Sequence, residues 1–134
     1  MSQLPSRDNP SWKTKDAIAF DVMAFIKQKT PKFKLYHHTF DELKKLEVTE
    51  KPEIWAYYAD YDWVCFCQLF GTMMDLPKGF PMYCRDIKQW CDYLENPELP
   101  KQGKGEHNAL ADARWNKLAW EFLDEYETKV LYWF

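Results

Sequence analysis

Apolar residues recur at helical spacing near the start of the chain. After Ser11, a residue typical of a helix N-cap, they continue to about Lys29 and predict an amphipathic helix. The apolar positions of this helix are Ile18, Val22, Phe25 and Ile26. Thr30 followed by Pro31 predicts its end, because the residue before a proline disfavours helical backbone. Residues 1–10 are polar, contain two prolines and are interpreted as an N-terminal arm.

Two short elements are predicted next. Residues 32–36 have the composition of a short strand. Residues 39–46 predict a short helix, because Thr39 and Glu42 have the spacing of a capping box.

The remaining pattern combines one dense apolar strand with several helices. Residues 53–59 (E-I-W-A-Y-Y-A) predict a buried strand, and 63–70, apolar nearly all round, predict a buried helix. Residues 82–94 predict a strand leading into a helix, and 108–127 predict a long helix after a polar loop. The inward positions expected on the first of these helices are Ile87, Trp90, Cys91 and Leu94. Those expected on the long helix are Leu110, Ala113, Leu118, Phe122 and Tyr126.

Composition limits the architecture to one domain. With 134 residues, 46% of them hydrophobic, the chain can bury one core. Residues 11–134 are therefore interpreted as a single α/β domain, with strands and helices around one sheet. No apolar run approaches the ~20 residues of a membrane span, and no signal pattern opens the chain. We expect a cytoplasmic protein without membrane contact, whose four cysteines are buried thiols rather than zinc ligands.

The net charge restricts the functional classes without excluding a nuclease. A formal charge of -3 gives no basic field for non-specific binding to nucleic acid. A catalytic site built from carboxylates is itself negative, however, and reaches phosphate through divalent metal ions.

A histidine and an aspartate stand close together where the last helix is predicted to begin. In E-H-N-A-L-A-D-A, His107 precedes Asp112 by five residues. A histidine on the loop side can deprotonate a water molecule, while an aspartate within the helix can hold a divalent ion. The structural alternative is that Asn108 or Asp112 serves the helix N-terminus and that His107 is a surface loop residue.

A second pair of carboxylates follows the predicted strand at 53–59. Asp60 and Asp62 lie where this strand leaves the sheet, a place where ligand sites form in open sheets. Asp62 is preferred because the apolar Trp63 and Val64 follow it, which predicts an inward side chain. Asp60 is interpreted as a strand terminator.

These two motifs resemble those of a known family. H-N-A-L-A-D-A looks like the third motif, H-x-A-x-x-D, of the DEDDh 3'-5' exonucleases, and A-D-Y-D-W-V resembles their second motif. Two longer segments, residues 53–89 and 105–117 (G-E-H-N-A-L-A-D-A-R-W-N-K), are most similar to small exoribonuclease-like proteins of phages and actinobacteria. The resemblance covers residues 10–125. Residues 32–50 have no counterpart and are a candidate insertion.

The resemblance implies a ribonuclease H-like exonuclease fold, with a mixed sheet flanked by helices. It makes Asp62 and Asp112 metal-binding carboxylates and His107 the general base. Two divalent ions, Mg²⁺ or Mn²⁺, would clamp the phosphodiester at a single-stranded 3' end of RNA or DNA. Tyr58, Trp63 and Arg114 are candidate nucleic-acid contacts. Their structural alternative is that the aromatics belong to the core and the arginine to a solvated surface.

The family's first motif, an Asp-x-Glu on an opening strand, has no match in this sequence. We therefore expect a fold without its first strands and little hydrolysis by the chain alone, because hard cations need several oxygen ligands. Three interpretations remain: half of a split enzyme, a truncated relic, or a pseudonuclease that acts as a binding, accessory or inhibitor protein. A phage-encoded form would act in the host cytoplasm. An uncovered sheet edge predicts a homo-oligomer or a complementing polypeptide.

Overall fold

A computed structural model describes residues 12–34, 38–105 and 108–132, and these divide into two compact units. The first unit takes the described residues up to Pro52 together with Val64–Met82. The second takes Glu53–Trp63 together with the residues from Tyr83 onward. The predicted site residues that the structure describes (Tyr58, Asp62, Trp63, Asp112 and Arg114) all lie in the second unit.

Helix α1 (Lys15–Lys27) opens the first unit. Its N-cap is Thr14, whose hydroxyl accepts a hydrogen bond from the Ala17 amide. The predicted cap, Ser11, lies outside the described residues, and the helix begins later than the apolar pattern suggested. Its end before Thr30 agrees with the prediction.

Helix α2 (Phe40–Lys45) confirms the predicted capping box. The Thr39 hydroxyl accepts from the Glu42 amide at 3.3 Å, and the Glu42 carboxylate accepts from the Thr39 amide at 3.0 Å. The strand predicted at 32–36 is not found at 32–34, and its remainder lies outside the described residues. The first unit packs around a core that also receives side chains from the segment after a 3-10 helix at Met73–Asp75. Its buried members are Met23, Leu43, Val48 and Phe80.

The second unit contains a two-stranded parallel sheet, in which β1 (Trp55–Ala56) pairs with β2 (Arg85–Asp86). The expected α/β class is confirmed for the described residues. The strand predicted at 53–59 is found only at Trp55–Ala56, and the expected mixed sheet was wrong for these residues, because the two strands are parallel. The chain turns at Tyr58, whose φ is +56°, and enters α3 (Ala59–Gln68) at once. The apolar composition of residues 53–59 predicted that the strand would continue through Tyr58. The chain turns there instead, because the Asp86 carboxylate accepts hydrogen bonds from the Tyr58 and Ala59 amides.

Two helices complete the second unit, α4 (Ile87–Tyr93) and α5 (Ala109–Tyr132). The inward face predicted for α4 is confirmed, since all four of its residues belong to the core of this unit. The face predicted for α5 was largely wrong. Leu110 and Leu118 are 59% and 54% exposed, whereas Ala119 and Leu123 are fully buried. Aromatic and aliphatic residues of α5 occur on several sides of the helix, so the spacing of its apolar residues did not identify the side that packs inward.

Within the described part of the chain, no helix is long and apolar enough to cross a membrane. None of the four cysteines, all of which are described, forms a disulfide. Cys67 and Cys91 are buried, but Cys65 is exposed, so the expectation that all four are buried was wrong.

Candidate active site

A pocket of about 460 Å³ in the second unit brings the two predicted aspartates together. Asp62 reaches it from α3 and Asp112 from α5, although they are 50 positions apart in the sequence. Asp60, in the same first turn as Asp62, is not among the described residues that line the pocket. The lining consists of Ala56, Tyr57, Asp62, Gln102, Ala109, Asp112, Ala113, Trp115 and Asn116.

One carboxylate, that of Asp86, fixes the turn that presents Asp62. Its two oxygens accept from the backbone amides of Tyr58 and Ala59, each at 3.2 Å. The same side chain caps α4 by accepting from the Lys88 amide at 2.8 Å. Because amides at a helix start have no partner within the helix, Asp86 satisfies donors of α3 and α4 at once. The first turn of α3, and Asp62 with it, is thereby held beside the sheet.

We predict that Asp86→Ala lowers the free energy of unfolding by about 1–2 kcal/mol, because three backbone donors lose their acceptor. Urea titration followed by circular dichroism measures this loss. Asp92→Ala is the matched control, since Asp92 lies on the same helix and forms a solvent-exposed ion pair with Lys88. A control that destabilises as much as Asp86→Ala would contradict the assignment.

Asp112 is positioned by the loop before α5 as well as by the helix itself. The Asn108 side chain accepts from the amides of Leu110 and Ala111, at 3.2 and 3.1 Å, and so acts as the cap of α5. The carboxylate of Asp112 is free of that task and accepts a hydrogen bond from Gln102 Nε2. Trp115 Nε1 donates to the Pro100 carbonyl at 2.8 Å, which ties the same loop to the helix.

An aromatic wall borders the carboxylates. The rings of Tyr57 and Trp115 meet edge to face, with centroids 5.0 Å apart. Burial, followed by the neighbouring Tyr58, raises the pKa of Tyr57 above its usual value. Its phenol therefore remains protonated at neutral pH, and a hydrogen bond with Tyr58 favours this protonated form.

The other predicted site residues either do not line this pocket or lie outside the described residues. His107 lies outside the described residues, so its role as a general base stays a prediction. Tyr58, Trp63 and Arg114 are not among the described residues that line the pocket. Tyr58 is 62% exposed, and the three remain predicted nucleic-acid contacts.

The side chains that line the pocket include the oxygen ligands that a hard divalent cation prefers, but too few of them to complete a metal site. Two carboxylates and the amide groups of Gln102 and Asn116 provide oxygen ligands, the type that Mg²⁺ and Mn²⁺ prefer. Among the described residues, however, no three His, Cys, Asp or Glu side chains form a group that could hold a metal ion. Further ligands would have to complete the site.

Two residues that position the site were not identified from the sequence. Asp86 directly precedes the apolar pattern that starts at Ile87, and an aspartate in this position is an N-cap signature. Its role as the cap of α4 could therefore have been predicted from the sequence. Its second role, towards the turn at Tyr58, could not. Gln102 lies in a polar loop, and no local pattern marks its contact with Asp112.

The family model described as "3'-5' exoribonuclease Rv2179c-like domain" matches residues 4–123. The chain belongs to this family. The resemblance noted in the sequence is thus confirmed at the level of the 3'-5' exoribonuclease family.

Two curated relatives of this family come from strains of Mycobacterium tuberculosis, the 3'-5' exoribonucleases MT2234.1 and Rv2179c. Each is 27% identical to the chain over 114 residues, which is 85% of this chain and 57% of the relative. The chain therefore spans little more than half the length of these relatives.

Proposed function

We propose that this member of the Rv2179c-like family contributes the aspartate half of a DEDDh-type 3'-5' exonuclease site that trims single-stranded ends, of RNA in the first place. The observation that carries the proposal is the convergence of Asp62 and Asp112 on one pocket. Family membership and the names of the mycobacterial relatives favour RNA over DNA.

The roles follow from the chemistry of each side chain. Asp62 and Asp112 would hold the divalent ions, whose chemistry is to stabilise the attacking and leaving oxygens of the phosphodiester. Gln102 orients the Asp112 carboxylate through its hydrogen bond. His107, five residues before Asp112 in the sequence, would take the proton of the attacking water.

The remaining ligands would come from residues that this sequence does not contain. Two carboxylates offer too few oxygens for two hard cations, and no Asp-x-Glu in a strand pattern occurs among the 134 residues. We propose a complementing polypeptide segment that adds strands of a ribonuclease H-like sheet and its acidic residues. The chain alone is then expected to hydrolyse little or nothing.

A second candidate is a non-catalytic protein that binds nucleic acid or regulates a nuclease. It is favoured by one observation, the lack of a third ligand side chain around the two aspartates in the described part of the chain. In this case the pocket would hold a 3' end without cleaving it.

A trimming assay separates the two candidates. The chain is first complemented with the part of the mycobacterial relative Rv2179c that it does not match. A 5'-labelled single-stranded RNA is incubated with this complemented protein in Mn²⁺, and the same RNA carrying a 3'-phosphate serves as the blocked control. Calcium replaces manganese in a parallel binding measurement, because it occupies oxygen sites without supporting the chemistry. A ladder that starts at the free 3' end supports the nuclease. Binding of the RNA without a ladder supports the second candidate, and neither binding nor trimming contradicts both.

A further inference from the structure

A second pocket, of about 600 Å³, lies in the same unit and shares no described lining residue with the first. Strand β1 separates the two, since Ala56 lines the first pocket and Trp55 lines the second. Successive residues of a strand point to opposite sides. The lining consists of Glu53, Trp55, Tyr83, Cys84, Arg85, Asp86, Gln89, Trp90, Tyr93, Trp120, Asp124 and Glu127.

Aromatic rings form the walls of this second pocket. Trp55, Trp90 and Trp120 make a mutual cluster, with ring centroids 5.1, 5.9 and 6.3 Å apart. Tyr83 and Tyr93 stand at the rim and are 58% and 79% exposed. The faces of such rings carry negative electrostatic potential and attract cations, guanidinium groups above all.

On one side, the pocket is lined by a guanidinium group of the protein itself, that of Arg85. The central carbon of the Arg85 guanidinium lies 5.7 Å from the Trp55 ring centroid and 5.5 Å from that of Tyr83. Arg85 Nη2 is also 3.5 Å from Glu53 Oε1. An arginine stacked between aromatic faces and paired with a carboxylate shows which chemistry this surface accommodates.

The acidic residues on the α5 side of the pocket lack such a cation. Asp124 and Glu127 are one turn apart on α5, and neither forms an ion pair with another described residue. Their neighbours on the helix do, since Glu121 pairs with Lys117 and Glu125 pairs with Lys129. Aromatic walls and two unneutralised carboxylates therefore face the open side of the pocket.

We propose that this pocket binds an arginine side chain presented by a segment of a partner protein. The guanidinium would lie on the Trp90, Trp120 and Tyr93 side and pair with Asp124 and Glu127, as Arg85 does with Glu53. Four lining carboxylates against one guanidinium disfavour a nucleic-acid phosphate.

Calorimetric titration with a blocked peptide tests this proposal. The peptide carries two arginines between glycines, with acetyl and amide ends. Its counterpart has citrulline, which keeps the shape of arginine without its charge. We expect the arginine peptide to bind and the citrulline peptide to bind about tenfold more weakly, because charge-assisted hydrogen bonds are lost.

The variant Asp124→Asn/Glu127→Gln should reproduce that loss. Glu121→Gln/Glu125→Gln is the matched control, because it removes the same charge from the same helix outside the pocket and should change affinity less than about twofold. Equal weakening by both double variants, equal affinity for citrulline, or no binding up to about 1 mM peptide would overturn the proposal. Displacement of the peptide by a single-stranded RNA oligonucleotide would overturn it in favour of a nucleic-acid surface.

Discussion

Asp62→Asn should reduce Mn²⁺-dependent trimming of single-stranded RNA, measured with the complemented protein, by at least about a hundredfold. Asn keeps the size of the side chain but removes its negative charge, and the neutral amide oxygen attracts a divalent cation less strongly than a carboxylate oxygen does. Asp112→Asn should have an effect of similar size, because both carboxylates line the same pocket. The expected loss is in turnover and in Mn²⁺ affinity.

Asp60→Asn is the control that the structure provides. Asp60 belongs to the same first turn of α3 as Asp62, is exposed, and does not appear on the described lining of the pocket. It should retain activity within about twofold. Titration of Mn²⁺ by calorimetry gives a second measurement that needs no turnover. If Asp60→Asn and Asp62→Asn weakened Mn²⁺ binding equally, the pocket would not be the metal site.

The candidate site was accessible from the sequence only in part. The motifs around Asp62 and Asp112 carried a resemblance to a nuclease family, and the structure places both side chains on one pocket. Spacing alone could not have joined two residues from distant segments. Gln102 and the second role of Asp86 depend on tertiary contacts, for which the local sequence contains no signal.

Local chemistry predicted the parts of the fold that local contacts decide. The capping box of α2 is complete within four residues, and the apolar face of α4 is unambiguous because polar residues separate its members. The strand predicted at 53–59 is shorter than expected because the carboxylate of Asp86, 28 positions further along the chain, accepts a hydrogen bond from the Tyr58 amide. The predicted inward face of α5 was wrong because apolar residues lie on several sides of the helix. Trp115 and Leu123 belong to the core, whereas Leu118 is 54% exposed, and packing alone selects among them.

Lys27 was not identified from the sequence, since a lysine on an amphipathic helix is usually solvated. The structure buries it completely. Its ammonium group donates to the carbonyls of Leu43 and Lys44, at 2.6 and 3.1 Å, and lies 5.7 Å from the Phe80 ring centroid. The two carbonyls belong to the last turn of α2, where helical acceptors are unpaired. Desolvation lowers the pKa of Lys27 to about 8.

We predict that the free energy of unfolding rises with pH because of this lysine. A pKa lowered in the folded state means that the unfolded chain binds the proton more tightly between about pH 8 and the ordinary lysine value. The contribution is thus complete above the unfolded pKa and is lost as the pH falls through about 8. From about pH 7.5 to about pH 9.5, Lys27 should add about 2 kcal/mol.

Urea titrations of the wild type and of Lys27→Met at the two pH values measure this contribution. The difference between the proteins is the relevant quantity, because burial raises the pKa of Cys67 and works in the opposite direction above the ordinary thiol range. Lys29→Met is the control, since Lys29 is exposed two residues further along the chain. The wild type and Lys29→Met should gain stability with pH relative to Lys27→Met. If all three responded to pH alike, the ammonium group would be solvated, and the end of α2 would be held by other contacts.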